Sequence, residues 1–201
     1  MLKYFTLLIV FFVANTSFAQ LIDYDKIDTA RVYRSMEEAN TNPLQVYRLD
    51  LSKKKLKVFP KEILTFTNLN ELILDKNKLD SIPISISKLL YLQRLSAYKN
   101  NLVNIDFITV LPNLTYLDLT ANYIEAIPQE ISHLQKLRTL ILQLNTITEF
   151  PNSMSELDLV EFNLLDNELN HEQQAHVRSL FPNLRVEMSA PCHCNTNDED
   201  E

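Results

Sequence analysis

A leucine-based pattern recurs six times along the chain, at steps of 22 or 23 residues. Each copy approximates L-x-x-L-x-L-x-x-N-x-L, and the copies begin at Val46, Leu69, Leu92, Leu114, Leu137 and Leu159. Within a copy, a stretch such as TYLDL (115–119) has leucines at alternate positions, which indicates a β-strand with one buried face. A single copy cannot bury its leucines alone, so neighbouring copies must stack. The pattern therefore predicts a solenoid whose strands pair in parallel.

Two further residue types recur in fixed phase with the leucines. Prolines follow the strand region in four copies and predict turns or short 3₁₀ pieces on the convex side, at Pro60, Pro83, Pro128 and Pro151. Asparagines occupy one position in five copies, at Asn77, Asn100, Asn122, Asn145 and Asn167. A carboxamide carries two donors and an acceptor, so we expect a structural column that satisfies backbone groups where each strand ends. Lys54 interrupts this column in the first copy.

With these positions the chain resembles the leucine-rich repeat family. Copies that end in (I/F)-P-x-x-(I/M)-x-x-L are similar to the 23-residue Ras-suppressor type, and the resemblance covers about Val46 to Glu187. It implies an α/β solenoid, a right-handed superhelix with a concave parallel β-sheet and an irregular or 3₁₀ convex side. The flanking segments 29–51 and 181–188 resemble the caps of bacterial secreted members.

The ends of the chain predict a processed and capped domain. Lys3, the apolar run 7–13 and the small-x-small site at 17–19 are typical of a signal peptide cleaved after Ala19. Since that run is shorter than the ~20 residues of a membrane span, we expect a secreted or periplasmic protein without membrane insertion. The expected division is a signal peptide at 1–19, an N-terminal cap at 20–45, six repeats at 46–169, a cap helix and strand at 170–188, and an acidic tail at 189–201. Within the cap, Asn170 and Gln173 predict a capping box for a helix through about Leu180, and Leu184 and Val186 predict a last strand.

The chain contains no glycine, where an average composition has about 7%. P-loops, Rossmann fingerprints and EF-hand loops are therefore excluded, and we expect no cofactor and no enzymatic activity. The net charge of −7 argues against nucleic-acid binding. Carboxylates share the concave face, but we expect neither a pocket nor a raised pKa there. Without glycine, we expect the chain to turn its corners at repeated Asn, Lys, Asp, Ser and Pro positions, several of which tolerate left-handed or fixed-φ backbone conformations. Asn77-Lys78 and Asn122-Tyr123 are examples.

Outward-pointing strand residues map the concave face in four rows. An apolar and aromatic group stands among them, and Tyr98 and Tyr116 are expected to be near neighbours. Such a group suits a protein-binding hot spot, so we expect a monomer that binds a protein partner through Ile73, Tyr98, Tyr116, Asp118, Ile141 and Leu144. Two alternatives stay open: these residues reflect β propensity in a surface structural protein without a ligand, or they bind carbohydrate. The absence of tryptophan weakens the carbohydrate alternative.

Two cysteines lie close together in the tail, at Cys192 and Cys194. Three states stay open for them: a strained local disulfide or intermolecular links, free thiols, and a partial metal site with His193. A closed zinc site needs four ligands and only three are grouped here, so we expect no metal. His171 and His176 are expected to be surface or cap residues.

Overall fold

The computed structural model describes residues 21–192. Seven short strands form one parallel sheet whose spatial order follows the sequence order. They are β1 (Val32–Tyr33), β2 (Arg48–Asp50), β3 (Glu71–Ile73), β4 (Arg94–Ser96), β5 (Tyr116–Asp118), β6 (Thr139–Ile141) and β7 (Glu161–Asn163). The six predicted repeats supply β2 to β7, and β1 comes from the segment that precedes them. The predicted signal peptide lies outside the described residues.

The leucine pattern forms a continuous core behind the sheet. The central residues of β2 to β7 are in register and at most 1% exposed: Leu49, Leu72, Leu95, Leu117, Leu140 and Phe162. Each such side chain contributes about 1.5–3 kcal/mol through burial. At the C-terminal end, Phe162 meets the Phe181 ring edge-on with centroids 5.5 Å apart. The core thus depends on stacking between copies, as the repeat predicts.

The asparagine column joins adjacent copies through its side chains. The Asn100 carboxamide donates to the carbonyl of Ala97 in its own copy and to that of Leu74 in the preceding copy, both at 3.0 Å. Its Oδ1 accepts from the backbone N–H of Leu79 at 3.1 Å. The other four asparagines repeat this pattern. The architectural role predicted for them is confirmed.

The convex side consists of short 3₁₀ helices, one in each of the first five repeats. They span Lys61–Thr65, Ile84–Lys88, Asp106–Val110, Gln129–His133 and Asn152–Glu156. In four of the five, the residue immediately before the helix is one of the repeated prolines. The predicted role of the prolines in turning the chain on the convex side is therefore confirmed.

The glycine-free corners include lysine and aspartate, as expected, but they lie one residue before the two pairs that we named as examples. The left-handed residue directly precedes each asparagine, with φ between 55° and 58° at Lys76, Lys99, Ala121, Leu144 and Asp166. Asn77-Lys78 and Asn122-Tyr123 are absent from the left-handed positions, so the expectation for these two pairs was wrong. The physical reason lies in the hydrogen bonds. At four of the five corners the residue before the asparagine donates its N–H to the next copy, for example Lys99 to the carbonyl of Thr120 at 2.8 Å, and at the fifth Asp166 donates to Ser189 Oγ at 2.9 Å. The asparagine side chain stays buried at all five.

Both ends of the repeat array are covered. On the N-terminal side lie a 3₁₀ helix at Tyr24–Thr29, helix α1 (Met36–Asn40) and a 3₁₀ helix at Pro43–Gln45. On the C-terminal side, helix α2 (His171–Leu180) begins with the capping box predicted for Asn170 and Gln173.

The predicted last strand is reduced to a single bridge between Asn163 and Glu187. Leu164 donates to the Glu187 carbonyl, and Glu187 donates to the Phe162 carbonyl, at 2.7 and 3.0 Å. Leu184 and Val186 do pack against the core as half-buried residues. Their side chains therefore cover the last repeat although no full strand ladder forms. Among residues 21–192, no helix combines the length and apolarity that crossing a bilayer requires.

Candidate functional site

The parallel register sets the residues of the concave face in rows that run across the sheet. Strand residues at the first position form one row: Arg48, Glu71, Arg94, Tyr116, Thr139 and Glu161. Those at the third position form the next: Asp50, Ile73, Ser96, Asp118, Ile141 and Asn163. The alternation within each repeat thus places Ile73, Tyr116, Asp118 and Ile141 on one face, as expected.

A cavity of about 400 Å³ opens on this face over β3 to β5. We call it the concave cavity; its lining residues are Tyr24, Glu71, Ile73, Asp75, Arg94, Ser96, Tyr116 and Asp118. Three of the predicted site residues, Ile73, Tyr116 and Asp118, line it. The expectation that this face offers no pocket was wrong, because Tyr24, which belongs to no repeat, adds a wall to the sheet.

Tyr24 lies at the start of a segment that is anchored to the edge of the sheet. The backbone N–H of Ile22 donates to Asn70 Oδ1 at 3.1 Å, and Gln93 Nε2 donates to the Ile22 carbonyl at 2.6 Å. Gln93 also donates to Asn70 Oδ1 at 2.8 Å, and both side chains are buried. Polar residues at the same position of two consecutive copies, Asn70 and Gln93, are the sequence signal for this contact, and the leucine pattern does not include that position.

An ion-pair network fixes the same segment beside the cavity. Glu71 lies between two arginines: its carboxylate is 2.5 Å from Arg48 Nε and 3.5 Å from Arg94 Nη1. Asp28 also contacts both arginines, at 3.3 and 2.8 Å. The hydrogen bond from Arg94 lowers the pKa of Asp28. The Arg94 guanidinium stacks over the Tyr24 ring at 4.2 Å. Each arginine of this network is therefore already neutralised.

Asp75, by contrast, sits in the cavity without a cationic partner. Ser96 Oγ and the backbone N–H of Tyr98 donate to its Oδ1, at 2.6 and 3.0 Å. Burial raises the pKa of Asp75, and the nearby carboxylates of Asp118 and Asp50 add to the rise. The expectation that no carboxylate on this face has a raised pKa was therefore wrong. None of the salt bridges formed among residues 21–192 involves Asp50, Asp75 or Asp118.

Tyr116 provides the aromatic side of the cavity on β5. Burial, reinforced by the Asp118, Glu161 and Asp75 carboxylates, raises the pKa of Tyr116 to about 12. A tyrosine phenol is neutral at physiological pH even at its ordinary pKa, so Tyr116 has an O–H that can donate a hydrogen bond.

Other predicted residues lie outside the cavity. The register pairs Tyr116 with Arg94, four positions before Tyr98, so the two tyrosines are not near neighbours and that prediction was wrong. Instead, Lys76 Nζ lies 5.3 Å from the centroid of the Tyr98 ring. Leu144 is 49% exposed and lines a separate depression at the corner of the strands, with Tyr123. Ile141 continues the row beyond Asp118 without lining the cavity.

The tail and the histidines show no metal chemistry in the described part of the chain. Among residues 21–192 no group of three or more His, Cys, Asp or Glu side chains is placed to hold a metal ion. The Cys192 thiol donates to the Glu168 carbonyl at 2.7 Å. His176 Nε2 lies 2.9 Å from the Phe150 carbonyl. Cys194 and His193 lie outside the described residues, so the redox state of the cysteine pair stays open.

Known proteins with similar sequence or structure share the repeat. The Leucine rich repeat family model matches residues 112–169. The chain is 30% identical over 196 residues to the probable serine/threonine-protein kinase pats1 of Dictyostelium discoideum, covering 92% of this chain and 6% of the kinase. This chain therefore corresponds to a small part of that relative's length.

Two solved structures are similar over most of the described residues. A leucine-rich repeat protein of Leptospira interrogans superposes with a TM-score of 0.63 at 27% identity, covering 80% of this chain and 48% of that one. The ectodomain of the Arabidopsis thaliana receptor kinase GASSHO1/SCHENGEN3, solved in complex with CASPARIAN STRIP INTEGRITY FACTOR 2, gives 0.55 at 29% identity, covering 60% and 15%.

The stacked parallel strands, the inward asparagine column and the 3₁₀ convex side define a repeat solenoid with an open concave sheet. Together with the family match and the structural neighbours, they identify the chain as a leucine-rich repeat protein. Leucine-rich repeat folds are generally non-catalytic binding modules, and solved neighbours include complexes with other molecules.

Proposed function

We propose that this protein is a non-catalytic binding module that holds a polypeptide partner in the concave cavity. The observation that carries the proposal is the cavity itself, where Ile73 and Tyr116 stand beside the Asp75 and Asp118 carboxylates. Neither aspartate forms a salt bridge within residues 21–192. An apolar and aromatic centre with a few polar groups is the usual composition of a binding hot spot.

A structural neighbour supports a peptide ligand on this architecture. The plant peptide hormone receptor RGFR1, solved in complex with RGF2, is similar to 70% of this chain. We further propose that the partner is met outside the cytoplasm, after cleavage following Ala19, and that the divisions at residues 19, 45, 169 and 188 are the borders of the functional regions. The predicted signal sequence supports that location.

Affinity capture tests the proposal. The mature chain from residue 20 is immobilised and exposed to the envelope and medium of the producing organism, and captured polypeptides are identified and purified. We expect the double variant Ile73→Ala with Tyr116→Ala to weaken binding of the purified partner at least tenfold, because each truncation removes central contact area. The matched control is Val58→Ala with Val160→Ala, two residues that are 73% and 72% exposed outside the cavity.

Binding that the cavity variant leaves unchanged would refute the cavity as the site. If Ile73→Ala with Tyr116→Ala lost binding but also had a lowered thermal midpoint, the loss could come from unfolding. The test would then use Ser96→Leu, which fills the cavity from β4 without removing a core residue. The proposal then requires that this variant also loses the partner.

A further inference from the structure

The concave cavity has an unbalanced charge that is set by the sheet. The cationic groups along its N-terminal side, Arg48 and Arg94, are each shared between Asp28 and Glu71 at 2.5 to 3.5 Å. Asp75 and Asp118 line the cavity and form no salt bridge within residues 21–192. Two adjacent sets of charges are thus present. The arginines with Asp28 and Glu71 form a neutral network, whereas Asp75 and Asp118 are negative and have no cationic partner among the described residues.

The carboxylates are held in place with acceptor capacity to spare. Each carboxylate offers about four lone-pair sites. Asp75 receives two hydrogen bonds, from Ser96 and Tyr98, and Asp118 receives one at 2.9 Å from the backbone N–H of Thr120. These bonds orient both side chains without neutralising them. A donor that enters the cavity therefore meets fixed anionic acceptors.

The cavity walls suit a flat cation. Tyr116 and Tyr24 are both lining residues, and aromatic faces attract a guanidinium more strongly where water is partly excluded. Arg94 already shows this geometry, with its guanidinium 4.2 Å from the Tyr24 ring centroid.

A metal ion fits these residues poorly. In the sheet register, Ser96 stands between Ile73 and Asp118, so Asp118 lies two strands away from β3, or roughly 10 Å at ~4.8 Å per strand. Among residues 21–192, no group of three or more His, Cys, Asp or Glu side chains is placed to hold a metal ion. An arginine side chain has five N–H donors in a planar fork and can serve separated acceptors, whereas an ammonium concentrates its charge at one point.

We propose that the concave cavity binds an arginine side chain of an extended polypeptide partner, between Tyr116, Asp75 and Asp118. This inference rests on the proposed function and adds the chemistry of the anchor residue. Carboxylates also occur on the open surface outside the cavity, so negative charge alone does not define the site. The inference rests on the charge together with the cavity and its aromatic walls.

The test uses two matched peptides and the full mature chain. The first is an acetylated and amidated heptapeptide, Ser-Thr-Val-Arg-Val-Thr-Ser, whose β-branched residues favour an extended backbone; the second replaces arginine by citrulline, a neutral isostere. Binding is followed by NMR of the isotope-labelled protein. We expect saturable shifts of the Ile73 methyl and Ser96 amide signals with the arginine peptide, and at least tenfold weaker binding of the citrulline peptide.

Variants show which groups are responsible. Asp75→Asn with Asp118→Asn keeps an oxygen to accept the Ser96 and Thr120 bonds, and we expect it to weaken the arginine peptide at least tenfold and to remove the preference over citrulline. Glu125→Gln with Glu130→Gln makes the same change in net charge at exposed residues outside the cavity and should leave the preference intact.

Equal binding of the two peptides, or shifts confined to residues outside the cavity, would overturn the inference. The two proposals fail separately. If the captured partner still binds the aspartate double variant but not Ile73→Ala with Tyr116→Ala, the arginine anchor is wrong and the cavity is the binding site. If neither variant affects the partner, the proposed function itself is wrong.

Discussion

The Gln93 side chain donates a hydrogen bond of 2.6 Å to the backbone carbonyl of Ile22, a residue 71 positions earlier in the chain. This contact holds the N-terminal segment against the edge of the sheet and brings Tyr24 to the cavity. We expect Gln93→Ala to lower the free energy of unfolding by about 1–3 kcal/mol, since it removes the side-chain donor from the part-buried Ile22 carbonyl and one of the two donors to the buried Asn70 Oδ1. Urea denaturation measures this change, and limited proteolysis should show faster cleavage near residues 21–29.

The matched control for that variant is Gln135→Ala. Gln135 is exposed, and its Nε2 donates to the carbonyl of Ser132 three residues away at 2.6 Å, so its removal should change the free energy by less than about 0.5 kcal/mol. Similar losses for the two variants would mean that the N-terminal segment is not anchored through Gln93.

The asparagine column should contribute strongly to stability. Asn122 is 5% exposed and donates to the carbonyls of Ala97 and Leu119, while its Oδ1 accepts from Leu102 N–H. Asn122→Ala leaves buried backbone groups unpaired, and we expect a loss of about 3 kcal/mol in the free energy of unfolding. Asn101→Ala, an exposed neighbour, is the control. If Asn122→Ala lost less free energy of unfolding than Asn101→Ala, the asparagine column would not contribute to stability.

The left-handed corners are places where glycine should be tolerated or better than the native residue. Ala121 has φ of 56°, which costs a non-glycine residue about 1–2 kcal/mol. Glycine removes that cost but adds about 0.4–1 kcal/mol of unfolded-state entropy. Ala121→Gly should therefore stabilise the protein by roughly 0.5 kcal/mol, the difference between these two terms. Ala126→Gly, at a residue bridged to Glu149 in extended backbone, should destabilise it by about 0.5–1 kcal/mol. The same sign for both variants in urea denaturation would contradict this assignment.

The raised pKa of Asp75 predicts a pH-dependent effect of Asp75→Asn. Because the folded-state pKa lies above the unfolded-state value, the favourable contribution of protonated Asp75 is complete below the ordinary pKa of 3.8 and is lost as the pH rises through the folded-state pKa. The variant should thus gain stability relative to the native protein on going from acid to neutral pH. Thermal midpoints of both proteins across this range measure it. A stability difference that does not change with pH would show that burial of the carboxylate carries no cost.

Most of the architecture was predictable from sequence, because six copies report the same positions independently. The buried leucines, the asparagine bonds and the prolines before 3₁₀ helices all depend on contacts that repeat every 22 or 23 residues. The anchoring of Ile22 to Gln93 occurs once, between a non-repeating segment and the sheet, so no periodic signal marks it. The cavity was missed for the same reason, and the raised pKa of Asp75 follows from the burial that the cavity walls produce.

The separation of Tyr98 from Tyr116 had a different origin. Both were predicted to lie on the concave face, but the register places Tyr116 opposite Arg94 and leaves Tyr98 near Lys76. Residues four positions apart along a strand direction are roughly 13 Å apart at ~3.3 Å per residue. Sharing a face is therefore not enough to share a site.

Photocrosslinking from the cavity wall tests the central claim most directly. Tyr24 lines the concave cavity and is 42% exposed, so a benzoylphenylalanine at this position keeps an aromatic ring there. Irradiation of producing cells that carry this variant should give a discrete covalent adduct with a polypeptide, and the same reagent placed at Val58, outside the cavity, should not. An adduct of equal yield from Val58, or none from Tyr24, would contradict a polypeptide partner in the concave cavity.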